Sequence, residues 1–298
     1  MKRLFRWLQH PLHAAWLTVA AIMVIGGLGP LSDAPRQDRA WFPYLARTPD
    51  VTITGDHFTV TPVSDWSYDA QGETDQRFID AGYDIASVRN IWFMLEPQPG
   101  SQLAAHTLLI FEFPGDRLLG VTIEARLEQD EGYDALKGLF NAYELSYHWA
   151  TARDLLVRRA TMLGHEVFIY PVEIDDHEAH LLLRNLLGRT QSLETHPRFY
   201  NTVTSNCTNE LAKAAGMSWT PSYVFTGRSD EYLFRNHILP GRTFEDAHAR
   251  SDMTQFIRAL NHIPAGEFDH ELLSELRRRF GASDFISRPG SAPRAPAG

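Results

Sequence analysis

Residues 103–127 read LAAHTLLIFEFPGDRLLGVTIEARL, two apolar runs on either side of a short polar break. Residues 103–113 and 118–127 have the length and the β-branched and aromatic content of strands. Between them, Pro-Gly-Asp-Arg at 114–117 is typical of a turn. The stretch therefore predicts a β-hairpin, and with it a fold built on an antiparallel sheet.

Further elements lie on both sides of this hairpin. Residues 57–62 alternate like a short strand, and residues 144–149 and 166–174 are further strand candidates. Asp175 or Asp176 is predicted to cap a helix whose leucines recur with the period of one buried face. Helices and strands mix here without the regular alternation of parallel sheets. The expected fold class is therefore α+β with a mostly antiparallel sheet.

Cys207 is the only cysteine in the 298 residues, so an internal disulfide and a cysteine-rich metal site are both excluded. It lies in the segment NTVTSNCTNEL at 201–211, where Ser205 and Asn206 are both preferred N-cap residues. In the first turn of a helix, free backbone N–H groups and the helix dipole favour a thiolate. The segment thus allows two interpretations of Cys207, a catalytic nucleophile or a small buried core residue.

The base for such a nucleophile is predicted at His106, which lies in apolar surroundings in the first strand of the hairpin. Cys207 and His106 are 101 positions apart (207 − 106), a separation that catalytic pairs bridge in space. A surface or core role is the alternative, since the chain has 13 histidines. Catalysis requires the two side chains to approach within about 3–4 Å in a cleft that solvent reaches.

The hairpin register decides which residue orients His106. A tight turn over 114–117 places Ala125 opposite His106 on the second strand. A bulge or a shift by one residue brings Glu124 or Arg126 there instead, because such a slip exchanges the faces of a strand. Of these, Glu124 alone can accept a hydrogen bond from the imidazole. We therefore predict Glu124 as the third catalytic residue, with a structural ion pair to Arg126 as the alternative.

Asn206 has two possible roles beside the thiol. Its side chain can cap the helix, or it can bind substrate by donating a hydrogen bond to an oxyanion. No metal or cofactor is expected, because His177 and His180 lack the further ligands that zinc requires. The sequence also has no glycine-rich phosphate-binding loop.

The first 33 residues predict a membrane anchor. Three basic residues precede a stretch without Asp, Glu, Lys or Arg at 7–32, in which 14–31 is long and apolar enough to span a bilayer. The basic flank stays cytoplasmic, so the rest of the chain is expected to be exported. A signal peptide cleaved near 32–34 is the alternative, although the apolar run exceeds the usual length of a signal core.

Composition and charge describe one exported domain held at the membrane by its anchor. The net charge is −9 for the chain, and without the three basic residues of the cytoplasmic flank it is 25 − 37 = −12. Nucleic acid is therefore not expected as a partner, and no oligomeric state is predicted. The expected division is an anchor at 1–33, a linker at 34–55, a thiol domain at 56–220, a helical extension at 221–286 and a disordered tail at 287–298.

Four blocks of the sequence resemble one known family. They are AAHTLLIFEF at 104–113, VTIEARLE at 121–128, EGYDALKGLF at 131–140 and FYNTVTSNCTN at 199–209. Because the blocks occur in order, residues 65–216 are identified as similar to the Lnb N-terminal periplasmic domain family. The resemblance implies a permuted papain-like domain with an antiparallel sheet and a helix-borne cysteine. It assigns the nucleophile position to Cys207 and the general-base position to His106.

The best-known activity of that family is lipoprotein N-acylation, in which an acyl group moves to an amine through a thioester. The resemblance implies a membrane-anchored periplasmic acyltransferase or amidase that acts on a lipid-associated or peptidoglycan-associated substrate. This chain departs from the acyltransferase in having one predicted hydrophobic span. A non-catalytic periplasmic binding domain of the same fold is the alternative. A thiol sealed in the core would favour that alternative.

Overall fold

The computed structural model describes residues 34–281, so the predicted anchor at 1–33 and the predicted tail at 287–298 lie outside the described residues. Ten strands and seven helices are present in the described range. The strands are β1 Asp50–Thr54, β2 His57–Ser64, β3 Ser67–Asp69, β4 Gly72–Asp75, β5 Phe78–Asp84, β6 Asn90–Pro97, β7 Ala105–Phe113, β8 Arg117–Arg126, β9 Glu144–Ala150 and β10 Phe168–Pro171. The helices are α1 Ala152–Val157, α2 Asp176–Thr195, α3 Cys207–Ala214, α4 Ser229–Arg235, α5 Phe244–Ser251, α6 Thr254–Leu260 and α7 Ala265–Phe280.

Eight of the strands form one sheet. Its order is β1-β2-β9-β8-β7-β6-β10, with β5 also paired to β2, while β3 and β4 form a separate hairpin. Neighbouring strands are antiparallel except β2 and β9, which meet in parallel at Ser64 and Ala150. The predicted mixed α+β class with a mostly antiparallel sheet is confirmed.

Helices cover both faces of the sheet. Successive side chains of a strand point to opposite faces, and on β7 Leu109 and Phe111 pack with the leucines of α2 and with α3. Leu108 and Ile110 pack on the other face with α1, α6 and α7. Both sets of side chains are buried, which explains why β7 reads as a continuous apolar run rather than an alternating one.

The hairpin of β7 and β8 is shifted by one residue from the simplest register. Phe113 pairs with Arg117, so the turn comprises residues 114–116 and the predicted turn over 114–117 is one residue too long. Gly115 and Asp116 have φ values of 81° and 53°. Two residues in the left-handed region suit the three-residue turns that close hairpins with a bulge. This turn sets the register that brings a carboxylate toward His106.

The two hairpin strands separate before they end. Pairing of β7 with β8 stops at Leu108 and Thr122, whereas β7 stays paired to β6 as far as Ala105. The start of β7 therefore has one side that no strand occupies. Helix α3 packs against both hairpin strands at this opening.

The segment predicted as a linker at 34–55 packs on the domain. Trp41, Tyr44 and Leu45 are buried, and the backbone N–H of Arg36 donates to a carboxylate oxygen of Glu144 at 3.0 Å. The last residues of the segment form β1, which pairs with β2. Tyr44 and Leu45 belong to the hydrophobic core on the face of the sheet that α1, α6 and α7 cover, so the segment is part of the fold.

The C-terminal helices also belong to this fold. Phe268, Leu272 and Leu273 of α7 are buried against the second face of the sheet. Arg277 forms an ion pair with the buried Glu112 of β7 at 2.6 Å. The predicted helical extension at 221–286, as far as the structure describes it at 221–281, thus completes the layer that covers β6, β7 and β8. Within residues 34–281, no helix combines the length and the apolarity that a membrane span requires.

A close backbone contact at Gly227 gives a first test of the packing. A Cβ at this position would lie 2.6 Å from the carbonyl oxygen of Gln102. Gly227→Ala is therefore expected to cost about 1–3 kcal/mol through overpacking, which lowers Tm by several degrees. Gly188→Ala in α2 is the matched control, because nothing lies within 4 Å of its Cβ position. Gly188→Ala is expected to raise the free energy of unfolding by about 0.5–1 kcal/mol. Equal changes of Tm in the two variants would contradict the close approach of residue 227 to Gln102.

Candidate active site

Cys207 is the first residue of α3, as the helix signals in the sequence predict. Asn206 is the N-cap, and its side-chain oxygen accepts a hydrogen bond from the backbone N–H of Asn209 at 2.8 Å. The first N–H groups of a helix have no partner within the helix. The thiol is therefore attached where unpaired backbone donors and the positive end of the helix dipole favour a negative charge.

The thiol lies at the opening between β7 and β8. His106 and Thr107 lie close enough to its sulfur to act on it by charge and hydrogen bonding, and the hydroxyl oxygen of Thr208 is 4.0 Å from it. Thr107 is held in turn by its hydroxyl, which is 3.0 Å from that of Thr208 in the next position of α3. The two residues that are 101 positions apart in the sequence are thus in direct contact.

The other side of the imidazole faces a carboxylate. The Nε2 atom of His106 is 3.1 Å from Oε1 of Glu124 and 2.5 Å from the hydroxyl oxygen of Thr122. That hydroxyl donates to the same Glu124 oxygen at 2.8 Å. Because Nε2 is engaged by these two groups, Nδ1 is the nitrogen left for the thiol. The one-residue shift of the hairpin, and not the tight-turn register with Ala125, is the arrangement that the structure adopts.

Charge stabilises this arrangement in its ionised form. Burial alone lowers the pKa of His106, but the charges and hydrogen bonds of Glu124 and Cys207 outweigh it and raise the pKa to about 10. Burial alone raises the pKa of Cys207, but His106 and the donors of Thr107 outweigh it and lower the pKa from 9.0 to about 7. Desolvation alone raises the pKa of the Glu124 carboxyl, but His106 and Arg159 outweigh it and hold that pKa well below its usual range. Between about pH 7 and 10 the favoured state is therefore a thiolate beside an imidazolium.

Solvent reaches the pair mainly through the imidazole. The side chain of His106 is 16% exposed, and that of Glu124 is 21% exposed, whereas Cys207 is only 4% exposed. The hydroxyl of Tyr200, whose pKa is raised by burial and by the neighbouring Cys207, lies 3.2 Å from the hydroxyl of Tyr133. Tyr133 is half exposed, so these two rings extend from the surface to the thiol.

The side-chain amide of Asn206 is fully engaged. Its Nδ2 donates to the carbonyl oxygens of Thr202 at 2.8 Å and of Tyr223 at 2.7 Å, while its oxygen caps the helix. An amide nitrogen has two hydrogens, so neither remains for an oxyanion in this conformation. The structure therefore places Asn206 in the capping role and leaves the predicted oxyanion role without a free donor.

A segment beyond the predicted thiol domain connects the two halves of the site. Tyr223 binds Asn206 through its carbonyl oxygen, and three residues later the hydroxyl of Thr226 accepts a hydrogen bond from the N–H of Ala105 at 2.8 Å. This segment joins the start of α3 to the start of β7, one residue before His106. The sequence analysis missed it, since no motif marks residues 221–228.

Glu210 anchors α3 one turn after the thiol. This carboxylate is fully buried and is bound by Arg198 at 2.9 Å, Lys213 at 2.7 Å and the hydroxyl of Tyr147 at 2.7 Å. Burial raises its pKa, but Arg198 and Lys213 outweigh this and lower the pKa from 4.5 to about 2. The stability that this group contributes is thus present above pH 4.5 and is lost as the pH falls toward 2.

Glu210→Gln is expected to reduce the free energy of unfolding by about 2–3 kcal/mol at pH 7, because it leaves the cations without their charged partner. The partial exposure of Arg198 and Lys213 keeps this estimate below that for fully buried pairs. The difference from the native protein should shrink between pH 4.5 and 2 in urea unfolding curves. Glu194→Gln, at an exposed position of α2, is the control. A pH-independent difference would contradict the lowered pKa.

Among the described residues, no cluster of three or more His, Cys, Asp or Glu side chains is arranged to hold a metal ion. Tyr147 and Trp149 are buried and bonded to Glu210 and Thr190. His148 packs 4.1 Å from the ring of Tyr44. Residues 147–149 of β9 are thus held by aromatic packing and hydrogen bonds inside the domain.

Comparison with known families identifies the region that holds the site. Residues 74–229 match the family model of the Lnb N-terminal periplasmic domain, and this is 156 of 298 residues, or just over half of the chain (229 − 74 + 1 = 156). The chain belongs to the Lnb N-terminal periplasmic domain family. The resemblance seen in the sequence is thus confirmed, and the family suggests a periplasmic location. Comparison with curated proteins and with solved structures gives no match.

The Lnb match begins in β4 and ends at the start of α4. It therefore includes His106, Glu124 and Cys207, together with the connecting segment at 221–228. Helices α5 to α7 and the packed N-terminal segment lie outside the match. In this chain the Lnb domain is extended at both ends. The added elements complete the hydrophobic core on the face of the sheet that α1, α6 and α7 cover.

Proposed function

We propose that this protein is a membrane-anchored periplasmic cysteine enzyme that transfers or hydrolyses acyl groups through a thioester on Cys207. His106 is the general base and acid, and Glu124 orients the imidazole. The substrate is associated with lipid or with the cell wall. The permuted papain-like relationship implied by the family belongs to the same proposal.

The contact between Cys207 and His106, with Glu124 behind the imidazole, carries this proposal. An activated nucleophile, its base and a group that orients the base are the three parts that covalent acyl transfer needs. They come from three different elements, α3, β7 and β8, at the point where the two strands separate. A packing role for the cysteine would not require a charged histidine and a carboxylate in line with it.

The reaction proceeds by attack of the Cys207 thiolate on the carbonyl carbon of the acyl donor, which forms a C–S bond and an oxyanion. The N–H groups of Cys207 and Thr208, first in α3, are the donors suited to hold this oxyanion. When the oxyanion collapses, the bond to the leaving group breaks and that group takes the proton from the His106 imidazolium. The products are a thioester on Cys207 and a neutral imidazole.

In the second half, an amine or water attacks the thioester and gives its proton to His106. The C–S bond then breaks and the thiolate beside the imidazolium is restored. An amine acceptor makes the enzyme an acyltransferase, and water makes it a hydrolase or amidase.

Apolar side chains around the site support a lipid-associated substrate. Leu103, Trp219 and Phe225 are each about half exposed. Phe225 directly precedes the turn bonded to the start of β7, and the indole N–H of Trp219 donates to Val203 in the loop before Cys207. Single exposed apolar side chains are ordinary, but several of them on the segments that border one site are typical of a surface that binds something apolar. The predicted anchor at 1–33 would keep such a site close to the membrane.

The proposal is tested by exposing the detergent-solubilised full-length protein to an extract of bacterial membranes and measuring its intact mass. A single adduct on Cys207 that hydroxylamine removes is the expected result, because thioesters are cleaved by that amine. Cys207→Ser should gain no adduct that hydroxylamine at neutral pH releases. Absence of any adduct from the native protein, with Cys207 also inert to iodoacetamide, would contradict catalysis.

One observation favours the second candidate, a non-catalytic binding domain of the same fold. Cys207 is only 4% exposed, as expected of a core residue. The two functions differ in the reactivity of the thiol, since a sealed thiol is alkylated only when the domain unfolds. Alkylation of the folded protein at a rate independent of unfolding therefore decides for the enzyme.

The proposed anchor has its own test. The intact protein is expected in the membrane pellet after a carbonate wash, because a spanning helix is not released by high pH. A shorter, soluble form that begins near residue 34 would instead support signal-peptide cleavage.

A further inference from the structure

Arg159 is a buried cation that takes no part in the mechanism described above. It lies in the π-helical turn Arg158–Met162 that continues α1, and its side chain is 2% exposed. Its Nη1 atom donates to the carbonyl oxygen of Leu155 at 2.9 Å, which fixes the guanidinium to its own helix. A charge this deeply buried requires partners of opposite sign.

Two carboxylates supply that opposite charge. The Nε atom of Arg159 is 2.7 Å from Oε2 of Glu96, and its Nη2 atom is 3.3 Å from Oε1 of Glu124. Glu96 lies opposite His106 in the pairing of β6 with β7. The Glu124 oxygen that Arg159 contacts is the one that lies 3.1 Å from Nε2 of His106. Arg159 thus joins the carboxylate that contacts the imidazole to a second one on the neighbouring strand.

The geometry explains why an arginine is needed. A guanidinium is planar and presents several N–H groups in a fixed fork, so it can hold two carboxylates at set positions. Without Arg159, the Glu124 carboxylate would keep only the imidazole of His106 and the hydroxyl of Thr122 as partners. A 21% exposed carboxylate that has lost its buried cation is freer to turn toward water, where its charge is better solvated.

Other charged and titratable groups also surround this carboxylate. Those that act on Glu124 or His106, besides Arg159, are Tyr44, Glu96, His148, Tyr200 and Cys207. Burial lowers the pKa of His148 to about 3, so it is neutral in the physiological range. Tyr44 is neutral there too, because burial raises the pKa of its hydroxyl. Glu96 is held by Arg159 and by His165, whose Nδ1 is 2.5 Å from it. Arg159 is therefore the cation that bridges the two carboxylates.

We propose that Arg159 is the positioning residue of this site, which holds the Glu124 carboxylate against His106 and so sustains the thiolate of Cys207. The inference rests on the proposed function, since it concerns how the same pair is kept active. Arg159 acts through Glu124 and does not touch the reacting atoms.

The test is the pH profile of iodoacetamide alkylation of Cys207 in the detergent-solubilised full-length protein. Arg159→Met is expected to raise the midpoint by about one unit, because an imidazole whose carboxylate is no longer held in place stabilises the thiolate less. Arg159→Lys keeps the charge but not the fork, so a smaller rise is expected. Arg277→Met is the matched control, because it removes an ion pair with the buried Glu112 at the far end of β7. Its midpoint should equal that of the native protein.

A second background shows whether Arg159 acts through Glu124. In Glu124→Gln protein, adding Arg159→Met should change the midpoint by less than a few tenths of a unit, because the group to be positioned is already gone. A shift of the same size in both backgrounds would overturn the inference, as would a native midpoint in Arg159→Met.

The outcomes remain distinct if a variant is unstable or the enzyme hypothesis fails. If Arg159→Met does not fold, Arg159→Lys decides, and an unchanged midpoint in its folded form overturns the inference. A midpoint near 9 in the native protein itself would contradict the proposed function. A native midpoint near 7 with unchanged variants would contradict the role of Arg159 alone.

Discussion

Replacement of His106 by alanine is expected to move the midpoint of Cys207 alkylation from about pH 7 to 9 or above. Burial is the largest influence on this thiol, and it raises the pKa. His106 provides the charge and the hydrogen bond that outweigh burial. Without them the thiol should titrate like an ordinary buried cysteine.

The same change should slow alkylation about tenfold at pH 6. A thiol with a pKa of about 7 is then roughly one-tenth ionised, and one with a pKa of 9 roughly one-thousandth. The more basic thiolate is also more nucleophilic, which recovers about sixfold to tenfold of that hundredfold difference. Transfer activity should fall further, because His106 is also the acid that protonates the leaving group.

His270→Ala is the control for this experiment. His270 also pairs with a carboxylate, Asp116 at 2.7 Å, but it lies at the turn end of the hairpin. Its removal should leave the profile of Cys207 unchanged. Equal profiles for native and His106→Ala proteins, with both folded by circular dichroism, would contradict the pairing of the thiol with the imidazole.

Glu124→Gln is expected to lower the pKa of His106 from about 10 by about two units. The raised pKa of His106 means that its contribution to stability is full below pH 6.5 and is lost as the pH rises through about 10. Without the carboxylate that loss should occur at lower pH. The measurement is an NMR titration of the His106 ring, assigned by its absence from His106→Ala.

Glu112→Gln is the matched control for Glu124→Gln. Both carboxylates are on the hairpin and both contact an arginine, Arg277 in the case of Glu112. Only Glu124 contacts the imidazole. A similar titration of His106 in both variants would mean that Glu124 does not set its charge.

The hairpin shows what could be predicted from the sequence. Two apolar runs around a Pro-Gly turn specify β7 and β8 to within two residues at each end. The register depends on backbone conformation at Gly115 and Asp116, and a difference of one residue there decides whether Ala125 or Glu124 lies beside His106. The local sequence does not determine that backbone conformation, so it allows both the register with Ala125 and the register with Glu124 beside His106.

Helix α3 was predictable for a related reason. The N-cap Asn206, the first-turn Cys207 and Gly216, which follows the helix, are all local signals. They agree with the observed bounds Cys207–Ala214. The fully engaged amide of Asn206 was not predictable, because one of its acceptors, the carbonyl of Tyr223, is 17 positions away. The capping role of Asn206 was predicted. The hydrogen bond to Tyr223 uses the second N–H of the amide, so none is left for an oxyanion.

Arg159 and strand β6 left no usable signal. The sequence NIWFMLEP at Asn90–Pro97 is buried on both faces and shows no alternation, so periodicity did not reveal it as a strand. Arg159 reads as one of several arginines near the end of a helix. Its role depends on Glu96 and Glu124, which come from two strands that the fold brings together on either side of β7.

The most direct test of the activated pair is the ultraviolet absorbance of the thiolate near 240 nm. Because Cys207 is the only cysteine, the difference between native and Cys207→Ser proteins reports this one group. Absorbance that appears with a midpoint near pH 7 is the expected result. Absorbance that appears only near pH 9, as for an unpaired thiol, would contradict the account.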